Sequence, residues 1–391
     1  MLVSWEFSYF WQLYLERKKC KEVRLKKNSP NRKAIRKFKQ NYFASTSLVL
    51  ILVLCLLSFF AYFIAPDHTP DANEQFTILS SKAPAYSIKM MKLKKEEYVK
   101  VNFIERLLSG YERAYVLVPI VHYEVLDEEH IAIEEFRGED LPSLNYTFAK
   151  SNLAETNLEN NFIQKSFWLG TDQLGRDILS RLLVGSRVSL LVGFFAVLIS
   201  SFIGIIAGGF AGFYRGWVDK VILWKMSVFW SIPTILLAMA LYVSLKQYFS
   251  SNIWLVFIAI GVTMWVSMAR IVRGQMMVYR EIQFVEAAES LGFSDLRVIF
   301  RHILPNLLGP IVVIMASNFA NAILVESGLS FLGLGVQAPA PSWGGMLSEF
   351  KDFIGTNLSY LAIIPGFLIM LLVLSFNLVG NGVRDALDIK N

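Results

Sequence analysis

Apolar residues along this chain gather into six blocks that are each close to the length of a bilayer span. A transmembrane helix needs about 20 predominantly apolar residues. The pattern therefore predicts an all-α polytopic membrane protein with six transmembrane helices. The blocks cover about residues 42–64, 187–212, 221–245, 253–272, 307–328 and 359–382.

Composition excludes an ordinary soluble globule. Apolar residues make up 54% of the 391 residues and charged residues only 18%, against roughly 25% charged residues in soluble domains. The mean hydropathy is +0.45. The two cysteines, Cys20 and Cys55, lie outside the long polar segment after the first block, so no disulfide framework is expected there.

The distribution of charge predicts the orientation in the membrane. Residues 1–41 are rich in lysine and arginine, whereas the polar segment after the first block carries acidic pairs such as Glu128-Glu129 and Glu134-Glu135. By the positive-inside rule, both termini are cytoplasmic and the polar segment is extracytoplasmic. A basic segment that adjoins a span is explained by topology and anionic lipid, so no nucleic acid is expected as a partner. The chain divides into residues 1–41, 42–64, 65–185, 186–382 and 383–391.

Glycine and proline mark two of the predicted spans. Gly204, Gly208 and Gly212 in the second block allow close helix packing, which favours association in lipid. Pro233 predicts a kink in the third span. Ordinary packing and a role in gating both remain open for these residues.

The extracytoplasmic segment is long enough for a small inserted domain. Residues 116–125 and 131–133 are rich in β-branched side chains and flank an acidic turn at residues 127–129. These runs predict strands, so the insertion is expected to be of mixed or β-rich character. At the N-terminus, aromatic residues between Trp5 and Tyr14 are typical of a helix on the membrane surface, although a partly ordered tail is an equal alternative.

The segment 280–306 is polar and prone to form helices, and it lies between two apolar blocks. Residues 281–290 predict a short helix in which Ala287 and Ala288 present a small, close-packing surface. Gly292 is expected to end this helix, and Ser294 to cap the next one. The second helix is expected to end at Pro305 and to show one apolar face, formed by Leu296, Ile299, Phe300 and Ile303. Such a unit can transmit a rigid push from another protein, although many cytoplasmic loops are amphipathic helical hairpins.

Three stretches carry a resemblance to a known family. Glu286-Ala-Ala288, Gly292 and Leu304-Pro305 resemble the EAA loop of permease subunits from ATP-binding-cassette (ABC) importers, with His302 replacing the usual isoleucine. Residues 170–181 and 326–344 resemble segments of the C-type subunit of dipeptide and oligopeptide permeases. The insertion of residues 66–167 is atypical, since this gap is usually much shorter in the family.

The resemblance implies a fold, a set of partners and a location. The fold would be that of a type I ABC importer permease, in a prokaryotic plasma membrane (the inner membrane in a Gram-negative cell). The partners would be a homologous second permease subunit, two ABC ATPase subunits, an extracytoplasmic substrate-binding protein and the lipid bilayer. The chain contains no phosphate-binding loop, so ATP and Mg²⁺ are expected on the partner ATPases. No cofactor and no metal are expected in this chain, which would not itself be an enzyme. The residues expected to couple to the ATPase are Glu286, Ala287, Ala288, Gly292, Leu296, Ile299, Phe300, Ile303, Leu304 and Pro305.

Polar residues near the spans are further candidates. Asp172, Arg176 and Asp177 lie where the chain re-enters the membrane, in the family segment that also contains Gly170, Thr171 and Gly175. An ion-pair cluster that anchors the second span is the preferred interpretation, with direct substrate contact as the alternative. A translocation pathway could be lined by polar side chains of the last two spans, which could instead bond between helices or, for Glu326, reach water. These candidates are Asn318, Asn321, Glu326 and Asn377.

The cargo and the class of transporter leave alternatives. Nickel, glutathione or antimicrobial peptides are other cargoes for the same permease type, since a fold does not fix its cargo. An ATP-independent channel or secondary transporter would require ionisable residues at mid-span or inverted repeats. A membrane-anchored receptor, whose insertion binds a ligand, would leave the segment 280–306 without a purpose.

Overall fold

The computed structural model describes residues 30–95, 98, 101–138, 142–249 and 252–387. The aromatic segment near Trp5 and most of the basic N-terminal segment lie outside the described residues. Within these described ranges, five helices are long and apolar enough to cross a membrane, and a sixth span results if one bent helix pair is counted as a unit. The protein is therefore a helical membrane protein with a small sheet, as the apolar blocks predicted.

Several helices begin or end well away from the apolar blocks. The helix α5 starts nine residues before the predicted second span, because its first turns belong to the polar re-entry segment. The helices are α1 (Pro30–Gln40), α2 (Tyr42–Phe59), α3 (Ala61–Ile64), α4 (Phe103–Ser109), α5 (Ile178–Tyr214), α6 (Gly216–Ser231), α7 (Thr234–Leu245), α8 (Asn252–Thr263), α9 (Trp265–Tyr279), α10 (Gln283–Ser290), α11 (Asp295–Phe331), α12 (Trp343–Phe350) and α13 (Tyr360–Leu387).

The third apolar block is two helices and not one kinked span. The helices α6 and α7 meet at an angle of 95°. Ile232 and Pro233 between them both have extended backbone. Proline removes a helical hydrogen bond and disfavours helical angles at the preceding residue, so two consecutive residues leave the helix. The predicted kink at Pro233 therefore underestimated the change of direction.

Glycine brings α5 and α9 into backbone contact. A Cβ atom at Gly208 would clash with the carbonyl oxygen of Ala269, and one at Gly212 would lie 2.6 Å from the carbonyl oxygen of Arg273. One at Gly204 would lie 2.6 Å from the Cβ of Met268. The predicted close packing of the second span is confirmed at these three glycines. We call this contact the glycine seam.

The insertion folds as a five-stranded antiparallel sheet. Its spatial order is β4-β3-β2-β1-β5, and both faces carry buried apolar side chains, since Met90 and Met91 point to opposite sides of β1. The predicted β-rich character is confirmed, and the acidic turn joins β2 to β3. The strands are β1 (Tyr86–Lys94), β2 (Tyr115–Val125), β3 (His130–Glu135), β4 (Leu144–Ala149) and β5 (Phe162–Phe167).

Two adjacent glycines provide a test of the glycine seam. Gly208→Ala is expected to lower the free energy of unfolding by about 1–3 kcal/mol, because the added methyl forces α5 away from α9. Gly209→Ala is the matched control, because its Cβ would lie 3.7 Å from the Cε of Met276, an ordinary contact. Thermal unfolding of the purified protein measures both. Equal behaviour of the two variants would contradict close backbone packing at Gly208.

Candidate functional site

The segment between α9 and α11 folds as the predicted short helix and turn. The helix α10 ends in a Schellman motif, in which the amide of Gly292 donates to the carbonyl of Glu289 (2.9 Å) and the amide of Phe293 to that of Ala288 (3.2 Å). Gly292 has φ +74°, a left-handed angle that glycine adopts without strain. We call α10 and the first turns of α11, residues 283–304, the loop unit.

One face of the loop unit is fixed to the membrane helices. Val285 and Ala288 of α10 and Ile299 and Ile303 of α11 are buried together. Their buried neighbours include Met276 of α9. Ala288 packs closely, as predicted, because it is buried. Ala287 is exposed, so the prediction of close packing is wrong for this residue.

The predicted apolar face of the second helix is split. Ile299 and Ile303 are buried, but Leu296 is 53% exposed and Phe300 is 46% exposed. A π-helical turn over Val298–Ile303 contains Ile299, Phe300 and Ile303, whereas Leu296 precedes it. The π-helical turn changes the angle between successive side chains, so a spacing of 3.6 residues no longer defines one face.

Pro305 does not end the helix. The helical chain continues from Asp295 to Phe331, which contradicts the predicted break. Proline cannot donate an amide hydrogen bond and its ring crowds the preceding turn. The π-helical turn that precedes Pro305 and the 3₁₀ turn Leu304–Leu307 that contains it accommodate these two effects. Ser294 occupies the predicted N-cap position, but its side chain makes no capping hydrogen bond.

The outer face of the loop unit leaves apolar side chains uncovered. Leu291 is 74% exposed, and Glu286 and Ala287 lie exposed on the same short helix. Several exposed apolar side chains on one short segment, with charged residues among them, are consistent with a protein-interaction site. The exposed apolar residues are Phe284, Leu291, Leu296 and Phe300.

Ion pairs join the end of α9, just before the loop unit, to α6 and to Arg215 at the junction of α5 and α6. Arg273 of α9 donates to both carboxylate oxygens of Asp219 on α6, at 2.5 and 2.6 Å. Arg215 donates to Glu281 (2.8 Å) and to the carbonyl of Met277 (3.1 Å). The bidentate geometry of the first pair fixes both partners. The end of α9, just before the loop unit, is therefore attached to α6 and to the junction of α5 and α6.

A second polar site lies at the opposite end of α5. The carboxylate of Asp172 accepts from Arg176 Nε at 2.6 Å and from Arg181 Nη1 at 2.8 Å. Both arginines also pair with Glu349 on α12, Arg181 at 2.8 Å. Asp172 and the two arginines are buried. We call these four side chains the ion-pair cluster.

The residues next to the ion-pair cluster in the re-entry segment fix the start of α5. Asp177 caps the helix by accepting from the amide of Ser180 (2.8 Å). Burial raises the pKa of Asp177, and the hydrogen bonds from Ser180 offset this only in part. Thr171 donates to the carbonyl of Leu79 (2.5 Å). Gly170 and Gly175 have positive φ and pass close to other backbone, where a Cβ would clash.

The four pathway candidates do not share one surface. Asn318 and Glu326 are buried within the subunit, whereas Asn321 and Asn377 are exposed. Glu326 accepts from Ser330 (2.8 Å) and from Ser342 (2.9 Å). The suggestion that Glu326 reaches water at the helix end is therefore wrong for this conformation. A lining role for the four residues stays a prediction.

Two residues that hold α12 against the start of α5, beside the ion-pair cluster, were not assigned this role from the sequence. Glu349 supplies the second carboxylate of the ion-pair cluster, and Trp343 donates its indole N–H to the carbonyl of Leu182 (2.9 Å). Trp343 stands in a recognised family segment, which is a weak signal for such a role. Nothing local in the sequence pairs Glu349 with Arg176, which is 173 positions away.

Comparison with known proteins identifies the class. Residues 200–390 match the family of binding-protein-dependent transport system inner membrane components. Residues 29–84 match the N-terminal transmembrane domain of oligopeptide transport permease C. The strands of the sheet lie between these two ranges. The fold and the matches define an ABC importer permease subunit.

The chain belongs to this family of binding-protein-dependent permeases. A dipeptide transport system permease protein from Alkalihalophilus pseudofirmus is 43% identical over 242 residues, which cover 61% of this chain and 78% of that protein. A glutathione transport system permease protein from Pectobacterium atrosepticum is 42% identical over 223 residues, 57% of this chain and 72% of that protein. The relatives are permease subunits of peptide-type importers, as the resemblance implied.

Among solved structures, a chain of the inward-facing MetNI methionine ABC transporter is a partial match. The sequence identity is 17% and the TM-score 0.45, with 53% of this chain and 95% of that chain covered.

Glu349 makes the ion-pair cluster sensitive to acid. Burial raises the pKa of this carboxyl, but Arg181 and Arg176 outweigh burial and hold the pKa below its ordinary value of 4.5. A carboxyl whose pKa is lowered in the folded state stabilises the fold at pH values above its ordinary pKa. This stabilisation is lost as the pH falls through the lowered pKa. Glu349→Gln should therefore lower the melting temperature at neutral pH, with a difference that shrinks in acid. Glu128→Gln, on an exposed turn, is the control, and a difference independent of pH would contradict the pairing.

Proposed function

We propose that this chain is one of two homologous permease subunits in an ATP-driven importer of short peptides. The loop unit receives the movement of a separate ABC ATPase on the cytoplasmic side. The observation that carries this proposal is the two-sided construction of the loop unit. Its inner face is fixed to the membrane helices, and its outer face leaves apolar side chains uncovered.

The coupling residues divide into three roles. Glu286, Ala287, Leu296 and Phe300 are exposed and would contact the ATPase directly. Ala288, Ile299 and Ile303 are buried and half-buried Leu304 packs beside them, so they would transmit force into α9 and α11. Gly292 and Pro305 set the geometry of the turns that connect these two groups.

The orientation follows from the charges and places the loop unit in the cytoplasm. With both termini inside, the sheet faces the extracytoplasmic side, where a substrate-binding protein would deliver cargo. ATP and Mg²⁺ would bind to the two ATPase subunits, and this chain would supply no catalytic group. Closure of the two ATPase subunits would switch the spans between inward- and outward-facing arrangements by a rigid-body rotation.

The class of cargo rests on the relatives. A dipeptide permease and two glutathione permeases have nearly the same sequence identity to this chain, 42–43%. Dipeptides and glutathione are all small peptides. A permease fold alone does not select a substrate, so the cargo is inferred from these relatives. We propose small peptides as the cargo. Uptake of labelled dipeptide and labelled glutathione by the reconstituted transporter, with each as competitor of the other, tests this. Uptake of neither would contradict the proposed cargo.

Charge reversal on the loop unit tests the coupling role. Glu286→Lys should reduce ATP-driven uptake by about tenfold or more, because a charge misplaced in a matched interface costs several kcal/mol. The variant should still insert, since Glu286 is exposed. Glu128→Lys makes the same reversal on the sheet and should leave uptake unchanged. Normal uptake by the Glu286 variant would sink the assignment.

Crosslinking identifies the partner independently. A photoreactive residue at Leu291 is expected to capture an ABC ATPase in cells, because this side chain is 74% exposed. The same probe at Leu126, on the sheet, should not capture it. An inserted protein that captures no ATPase from Leu291, in cells expressing the ATPases, would remove the main support for the proposed function.

A further inference from the structure

An apolar groove of about 700 Å³ opens between α2, α5, α11 and α13. It lies among membrane-spanning helices, and its lining is almost entirely apolar. Typical lining residues are Cys55, Phe59, Leu191, Phe194, Met315 and Phe376.

Arg187 is the one charged side chain among the described residues that line the groove. Its guanidinium donates to the carbonyl of Leu108 (3.0 Å) and lies 4.9 Å from the centre of the Tyr62 ring. These contacts hold the group in place at the rim while using one of its five N–H donors in a hydrogen bond. A guanidinium suits the bidentate recognition of phosphate.

The groove follows α5 for about one leaflet. From Arg187 to Leu198, which also lines it, the helix rises about 16 Å at 1.5 Å per residue. Half of a hydrocarbon core of about 30 Å is about 15 Å. The charge therefore lies at the headgroup end and the apolar lining extends towards the middle of the bilayer.

The short helix α4 extends the same surface at the rim. Phe103 is 69% exposed and Ile104 is 68% exposed. The ring of Phe103 lies 5.6 Å from that of Phe63, just beyond the first span. Exposed apolar side chains on a helix at the end of a span are typical of an interfacial helix. Leu108 of α4 also lines the groove, so the interfacial helix forms part of its wall.

We propose that the groove binds one phospholipid from the leaflet on the sheet side, with its phosphate at Arg187 and an acyl chain along α5. Two observations favour a lipid over a protein partner. The groove is continuous with the exposed apolar side chains of the first span and α4, and the single charge among its described lining residues stands at the end where the headgroup phosphate would lie.

The test uses the complete transporter, reconstituted in nanodiscs of phosphatidylcholine and phosphatidylglycerol. Native mass spectrometry then counts the phospholipids that each complex retains. We expect one tightly held phospholipid in the wild type, roughly tenfold lower occupancy in Arg187→Gln, and retention in Arg187→Lys, because a charged hydrogen bond is among the stronger contacts. Arg270→Gln is the control, since it removes a guanidinium stacked on Trp230, away from the groove.

A second variant keeps the test decisive if Arg187→Gln fails to fold. Leu191→Trp, at a position that is 45% exposed, should fill the groove and displace the lipid. Added inorganic phosphate should not displace it, since the acyl chain supplies part of the binding. Equal retention by the wild type and both variants would overturn the proposal. So would a wild-type complex without the extra lipid in which Cys55 crosslinks to the second permease.

Discussion

The packing of α5 against α9 is the contact on which the rest of the structure depends. In lipid, apolar side chains gain little from meeting one another, so helix association relies on close van der Waals contact. The glycine seam supplies that contact over about two helical turns, at Gly204, Gly208 and Gly212. The loop unit follows shortly after α9, and Phe213 near the end of α5 packs into its buried face. The loop unit is therefore packed against both of these helices and not held by a flexible linker alone.

The other end of α5 is fixed by charge. Burying a carboxylate is costly unless it is paired and hydrogen-bonded, and removing one partner of a buried pair typically costs about 3–5 kcal/mol. Asp172 accepts from both Arg176 and Arg181, and both arginines reach Glu349 on α12. Trp343 adds a hydrogen bond between the start of α12 and α5. Since α5 is held at both ends, it can carry a movement across the membrane as a rigid rod.

Hydropathy and local turn chemistry could be read from the sequence, and long-range geometry could not. The spans, the strands around the acidic turn and the glycine cap at Gly292 each depend on residues that are close together in the chain. The direction taken after Pro233 depends on what α7 packs against. The split face at Leu296 and Phe300 depends on a π-helical turn that has no simple sequence signal. The pairing of Arg176 with Glu349 joins positions 173 residues apart, which no local pattern encodes.

The segment between the first span and β1 is attached to the start of α5. The amide of Asp67, just after the first span, donates to Ser180 in the first turn of α5 (2.9 Å). Thr171 is bonded to the carbonyl of Leu79, and Gly175 passes against the backbone of Phe76. The insertion therefore leaves and rejoins the membrane helices at neighbouring points and is fastened there by buried hydrogen bonds. Ser180 lies in α5, and Thr171 and Gly175 lie in the segment that leads into it, so a rigid movement of α5 is expected to move the base of the insertion with it.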